Sequence, residues 1–175
     1  EEALDILSTM TASTQEVELP TFLAQRPTLV ESYAYHAEYL EDRRDLYQPL
    51  TLERLLRGAD IPAADYAEAR YELSLLRKEI ANVFEEVDLL VMPTKRVLPG
   101  RIHEDADNPN PIRNTLPFNL YGTPAISVPC GFSREGWPIG LQISGPHLGE
   151  VDVLTLAHAY EQATEWHTRR SPLTG

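Results

Sequence analysis

Cys130 is the only thiol of the chain and stands between Pro129 and Gly131. A cysteine nucleophile needs a cationic or helix-N-terminal setting and a base, most often histidine. Cys130 lies instead in the apolar run "PAISVPCGF", and none of His36, His103, His147, His158 and His167 is marked by its local sequence as a partner. It reads as a buried packing cysteine. The stretch "HEDADN" (His103 to Asn108) gathers one histidine and three acids. It has no standard ligand spacing, so it reads as a solvated acidic loop and no metal is expected. A serine nucleophile needs a base and a set of oxyanion donors. Here there is no G-x-S-x-G elbow and no Gly-Ser-Ser-Gly cluster, and Ser127 and Ser144 fall inside strand-like runs. The only lysines are Lys78 and Lys95. Neither a G-x-G-x-x-G before a helix nor a P-loop is present, so no nucleotide cofactor is expected.

Bulk properties narrow the classes further. A chain of 175 residues with 42% hydrophobic and 24% charged residues suits one globular unit. The expectation is a single structural unit over residues 1–175. A net charge of −12 repels phosphate backbones, and no basic stripe opposes it, so direct nucleic-acid binding is not expected. One cysteine excludes an internal disulfide framework and fits a reducing, cytoplasmic setting. No run approaches the length of a membrane span, and "EEALDILSTM" lacks the pattern of a signal peptide.

The elements that position these residues follow from periodicity and stop signals. Residues 1–10 read as the end of a helix through Ala3, Leu4 and Leu7. "TQEVELP" alternates Val17 and Leu19 with acids, which predicts a short strand ended by Pro20. Thr28 and Glu31 form a T-x-x-E capping box before Leu29, Tyr33, Ala37 and Leu40, predicting a helix at about 28–46. A short helix at about 52–57 is expected, with Thr51 as N-cap and Gly58 as stop. From Pro62, an apolar stripe through Tyr66, Ala69, Leu73, Leu76, Ile80, Val83 and Val87 predicts a long helix with one core-facing side. "DLLVMPT" is a continuous apolar run, as expected of a strand buried on both faces. A long polar loop over 93–114 leads to two strand-like runs, "PAISVPCGF" and "PIGLQISG". "SREGW" between them predicts a hairpin turn with Gly136 at positive φ. A closing helix carries Val153, Leu156, Tyr160 and Ala163 on one face. The whole is an α/β arrangement.

"NTLPFNLYGTPAISVPCGFSREGWPIGLQISGP" resembles the C-terminal region of the amidase signature family. The matching pieces are Thr115, Pro117-Phe118-Asn119, Gly122, Pro124-Ala125, Pro129, Gly131, Gly136, Pro138, Gly140-Leu141-Gln142 and Gly145. "DLLVMPT" resembles the family's Asp-hydrophobic-Pro-Thr strand, and "GADIPAADYAEA" its Gly-x-x-Ile-x-Ala-x-Asp-Tyr helix start. "GEVDVLTLAHAYE" resembles the terminal Glu-x-x-x-Leu helix, and "VELP" the strand after a domain-internal helix. The similarity runs in order over nearly the whole chain.

The resemblance implies a mixed β-sheet with surrounding helices, the C-terminal portion of the amidase signature fold. It also implies amide hydrolysis or transfer by a Ser–Ser–Lys triad. No residue here matches that triad, and Lys78 and Lys95 stand in other contexts, so no catalytic residue carries over and the chain alone is expected to be inactive. The parent would be an amidase acting on a small-molecule amide, with its triad upstream. This portion would complete the sheet and wall part of the substrate pocket. Arg113, Asn114, Thr115 and Asn119 are the pocket candidates, with capping of loop backbone as the alternative role of each. Two other readings stand beside this one. The first is the A subunit of a tRNA-dependent amidotransferase, although "NPNPIRN" has no acid just before the Pro-x-Asn element. The second is a truncated, non-enzymatic interaction module. No cofactor is implied, and a homodimer stays open.

Overall fold

A computed structural model describes residues 2–21, 26–98 and 112–169. In chain order it has α1 (Glu2–Ser8), α2 (Arg26–Asp42), a 3-10 turn at Arg44–Leu46, α3 (Pro49–Leu56), α4 (Ala63–Glu86) and β1 (Leu90–Pro93). These are followed by α5 (Leu116–Tyr121), β2 (Ala125–Phe132), β3 (Pro138–Ser144), α6 (Glu150–Ala163) and a 3-10 turn at Trp166–Thr168. The chain divides into two compact units, one of residues Thr21–Lys78 and one of Glu1–Pro20 with Glu79–Gly175.

The second of these holds a three-stranded antiparallel sheet in the order β1-β3-β2. Because side chains alternate across a strand, Leu141 and Ile143 of β3 face one side and Gln142 and Ser144 the other. The first side is apolar. Ile143, Leu141 and Val128 pack with Leu7 of α1 and with Val153, Ala157 and Tyr160 of α6. The stripe predicted for the closing helix is therefore core-facing at Val153 and Tyr160, while Ala163 is exposed. The other side carries the sheet's polar side chains, Gln142, Ser144 and Ser127, beside Leu90 and Met92 of β1. Ser144 is fully buried and donates to the Pro124 carbonyl at 2.7 Å.

The Pro129-Cys130-Gly131 triplet is a β-bulge. The ladder pairs Pro129 with Gly140 and Gly131 with Ile139, which leaves Cys130 as the extra residue. Proline brings no amide to the ladder, and Gly131 takes φ 152°. The hairpin turn forms as expected. Gly136 has φ 85°, and the Ser133 hydroxyl accepts from the amides of Glu135 and Trp137, both at 3.2 Å.

The other unit is helical. Ala69, Leu73 and Leu76 of α4 are buried, as their stripe predicts. α2 packs against α3 and the Arg44–Leu46 turn.

Several sequence expectations need correction. Residues 14–20 form no strand, because a strand needs a ladder partner and none is present among the described residues. The Thr28–Glu31 capping box is absent: α2 already begins at Arg26, and Glu31 instead accepts from Tyr66 Oη at 3.1 Å and Arg70 at 3.0 Å. The Tyr66 hydroxyl is shifted upward, chiefly by that bond. α3 begins at Pro49 with Gln48 as N-cap, so Thr51 lies inside the helix. Gly58 is required for close approach to α2 and has no positive φ. β1 is not buried on both faces: Leu90 is buried, Val91 and Met92 are half-buried, and Pro93 is exposed. α5 has no counterpart in the sequence reading.

Candidate functional site

The sequence-selected residues lie in the turn before α5 and on α5 itself, and one of them, Asn114, is tied to the sheet. α5 enters through a turn at residues 112–115. It ends at Gly122, whose φ of 73° gives the left-handed C-cap and whose amide bonds to the Phe118 carbonyl. Phe118, Leu120 and Tyr121 are buried. The Tyr121 hydroxyl donates to the Pro20 carbonyl, and burial pushes its pKa up to about 12.

Asn114 is tied to two strands. Its Nδ2 donates to the Pro93 carbonyl at the end of β1, at 2.7 Å. Its own carbonyl accepts from Nε2 of Gln142 on β3, at 3.1 Å. Gln142 is 4% exposed, so its carboxamide is committed inside the fold. Thr115 has a local bond, its hydroxyl donating to the Ile112 carbonyl at 3.3 Å. Arg113 and Asn119 are exposed. Of the four sequence-selected residues, only Asn114 joins the turn to the sheet.

Beside it stands a pair that the sequence did not single out. Thr94 Oγ1 and Ser127 Oγ lie 2.6 Å apart, although β3 runs between their strands. Gly140 makes this contact achievable. A Cβ there would sit 2.6 Å from the Ser127 hydroxyl and 2.8 Å from that of Thr94. The Thr94 amide bonds to the Gly140 carbonyl at 2.8 Å, continuing the ladder past β1. The "PIGLQ" motif thus has a mechanical meaning: the glycine leaves the gap and the glutamine holds the turn. Strand alternation alone could not reveal this pair, because it depends on the register of three strands.

Two hydroxyls in contact share one hydrogen and leave a second donor and lone pairs to offer. Among the described residues no lysine or histidine bonds to either of them. The pair can offer hydrogen bonds to a polar group, and among the described residues no base is bonded to it that would make a nucleophile. Cys130 is half-buried in the bulge, and burial raises its thiol. Since the thiolate is the reactive form, iodoacetamide at pH 7 should alkylate Cys130 more slowly than free cysteine. Mass spectrometry of a timed reaction checks this, and equal rates would contradict the packing role. The His103–Asn108 stretch lies outside the described residues. Among those described, no cluster of histidine, cysteine and acids could hold a metal ion. No helix among them is long and apolar enough to cross a membrane.

Known proteins place this architecture. The glutamyl-tRNA(Gln) amidotransferase A subunit of Halalkalibacterium halodurans is 34% identical over 206 residues, covering 98% of this chain and 42% of that protein. A crystal structure of an amidase superposes with a TM-score of 0.77 at 26% identity, covering 91% of this chain and 39% of that one. 6-Aminohexanoate cyclic dimer hydrolase superposes with a TM-score of 0.71 at 25% identity, covering 86% and 35%. The chain thus spans about two-fifths of the length of the curated relatives it matches. The amidase family model matches residues 2–154, nearly the whole chain including β1, β2, β3 and the start of α6, and the chain belongs to the amidase signature family.

Proposed function

We propose that this chain is the C-terminal, non-catalytic portion of an amidase that hydrolyses carboxylic amides with a Ser–Ser–Lys triad located upstream. Its part is to complete the sheet and to wall one side of the pocket for a small-molecule amide, in a cytoplasmic enzyme. The observation that carries the reading is the double attachment of Asn114 to Pro93 and Gln142. It fixes the 112–115 turn against the polar side of the sheet, where a loop on a rigid scaffold can present Arg113, Asn114, Thr115 and Asn119 to a ligand.

The expected result in the intact enzyme is that Asn114→Ala raises KM about fivefold with little change in kcat, the equivalent of about one hydrogen bond. Steady-state kinetics beside a control in the exposed hairpin turn, Arg134→Ala, check it. Unchanged KM would remove Asn114 from the pocket. A second reading, the A subunit of a glutamine-dependent amidotransferase, is favoured by the 32–34% identity to the glutamyl-tRNA(Gln) amidotransferase A subunits of Bacillus cytotoxicus and Halalkalibacterium halodurans. Glutaminase activity of the intact enzyme would separate it from a hydrolase of other amides.

A further inference from the structure

The polar side chains of the sheet stand in stretches poor in charge, and the charge there is mostly positive. Over residues 89–98 and 112–146 the charged side chains are Lys95, Arg96, Arg113, Arg134 and Glu135, although the chain as a whole has 27 acids and 15 cations. The one acid is engaged: Glu135 accepts from Ser133 Oγ at 2.8 Å within the hairpin turn, next to Arg134. Lys95, Arg96 and Arg113 are exposed, and among the described residues no carboxylate pairs with any of them. Arg26 and Arg70 of the helical unit are by contrast paired, with Asp65 and Glu31.

Hydrogen bonds bring these three cations to one place. The 2.7 Å bond from Asn114 Nδ2 to the Pro93 carbonyl sets the 112–115 turn against the end of β1. Arg113 precedes that tie on one segment, and Thr94, Lys95 and Arg96 follow it on the other. At the same end of the sheet, Thr94 Oγ1 and Ser127 Oγ meet over Gly140, 2.6 Å apart. The contact uses one hydroxyl hydrogen and leaves the other for an acceptor from outside. A hydroxyl donor among cations suits an anionic oxygen, since hydrogen bonds to charged groups are about twice as strong as neutral ones. An ammonium group meets the reverse, cations with no free acid beside them.

We propose that Thr94 and Ser127, with Lys95, Arg96 and Arg113 around them, form a subsite for a carboxylate, and that the substrate is an amide bearing a carboxylate and no ammonium group. This rests on the amidase reading and on the pocket walled by the 112–115 turn. Steady-state kinetics of the intact enzyme on matched amides test it. Glutaramate is compared with pentanamide, and N-acetyl-β-alanine with N-propylacetamide. Each pair exchanges a carboxylate for a methyl group, on the acyl side in the first and on the amine side in the second. The expected kcat/KM is about tenfold higher for the carboxylate member of at least one pair, and glutamine is not favoured over glutaramate. Lys95→Gln/Arg113→Gln is expected to lower that preference about tenfold and Ser127→Ala about fivefold, while Arg113→Lys retains it. Because the ratio within a pair is read, a general loss of activity cancels. Equal turnover of both members of both pairs would overturn the subsite and leave the amidase reading standing. So would a preference unchanged in both the charge and the hydroxyl variants, or glutamine turned over better than glutaramate. An intact enzyme that hydrolyses no carboxylic amide would instead overturn the amidase reading, and the subsite with it.

Discussion

Replacing Ile143 with alanine will lower the stability of the sheet-bearing unit by about 4 kcal/mol, the upper part of the range for truncating a buried isoleucine. Ile143 has no exposed surface. It sits on the central strand, paired with Val91 on one side and Ile126 on the other. Leu7, Val128, Val153, Ala157 and Tyr160 belong to the same core, so α1, β2 and α6 all meet the region it fills. A rigid strand flanked by two others cannot collapse into the gap, which leaves a cavity as well as a lost transfer energy. A typical domain has only about 5–15 kcal/mol to lose. Urea denaturation followed by Trp166 fluorescence, with Ile143→Val as a milder companion costing about 1 kcal/mol, measures this. A loss under about 1 kcal/mol for the alanine variant would mean that the sheet does not form the core of this unit.

Gly58→Ala will destabilise the helical unit by about 3 kcal/mol, the upper end of the usual cost of overpacking. The reason is contact with backbone. A Cβ at residue 58 would lie 2.2 Å from the Leu29 carbonyl oxygen, 2.7 Å from its carbon and 2.8 Å from Cβ of Tyr33. None of these atoms can rotate away, so α2 itself must shift. Gly136 provides the contrast. Its φ is 85° and nothing lies within 4 Å of its virtual Cβ, so alanine there meets only left-handed strain of about 1–2 kcal/mol. Hydrogen exchange at the α2 and α3 amides for Gly58→Ala, and at the β2 and β3 amides for Gly136→Ala, reports the difference. Equal effects of the two substitutions would refute the close approach of Gly58 to α2.

The long regular elements were legible in the sequence because their signal is redundant. α4 repeats its apolar positions over many turns, and the hairpin combines two apolar runs with a glycine at the required φ. α5 escaped because it has six residues with a proline in its first turn, too short for a stripe to repeat. Thr28 and Glu31 had the right spacing for a cap, but Glu31 has partners at Tyr66 and Arg70, far along the chain. The alternation of Val17 and Leu19 is real, yet alternation does not supply the neighbouring strand that defines a ladder. The site divides in the same way. Asn114 was visible as a loop residue, whereas its partners Pro93 and Gln142 and the Thr94–Ser127 pair depend on sheet register. Arg113 lies in the same turn as Asn114 and Asn119 on the helix that follows, yet neither shares its attachment to the sheet. The "VPCGF" segment looked chemical because of its cysteine, and its unusual residues are those a bulge needs.

The most direct measurement is ammonia release from a panel of carboxylic amides, glutamine included, by the 175-residue chain alone and by the chain co-expressed with the remaining part of an amidase signature domain. The chain alone is expected to give no turnover above a heat-killed control. The combined protein is expected to turn over an amide and to lose that activity when a serine of the added part is replaced. Turnover by the chain alone that disappears when Ser127, Cys130 or any other residue within it is replaced would contradict the assignment of catalysis to upstream residues.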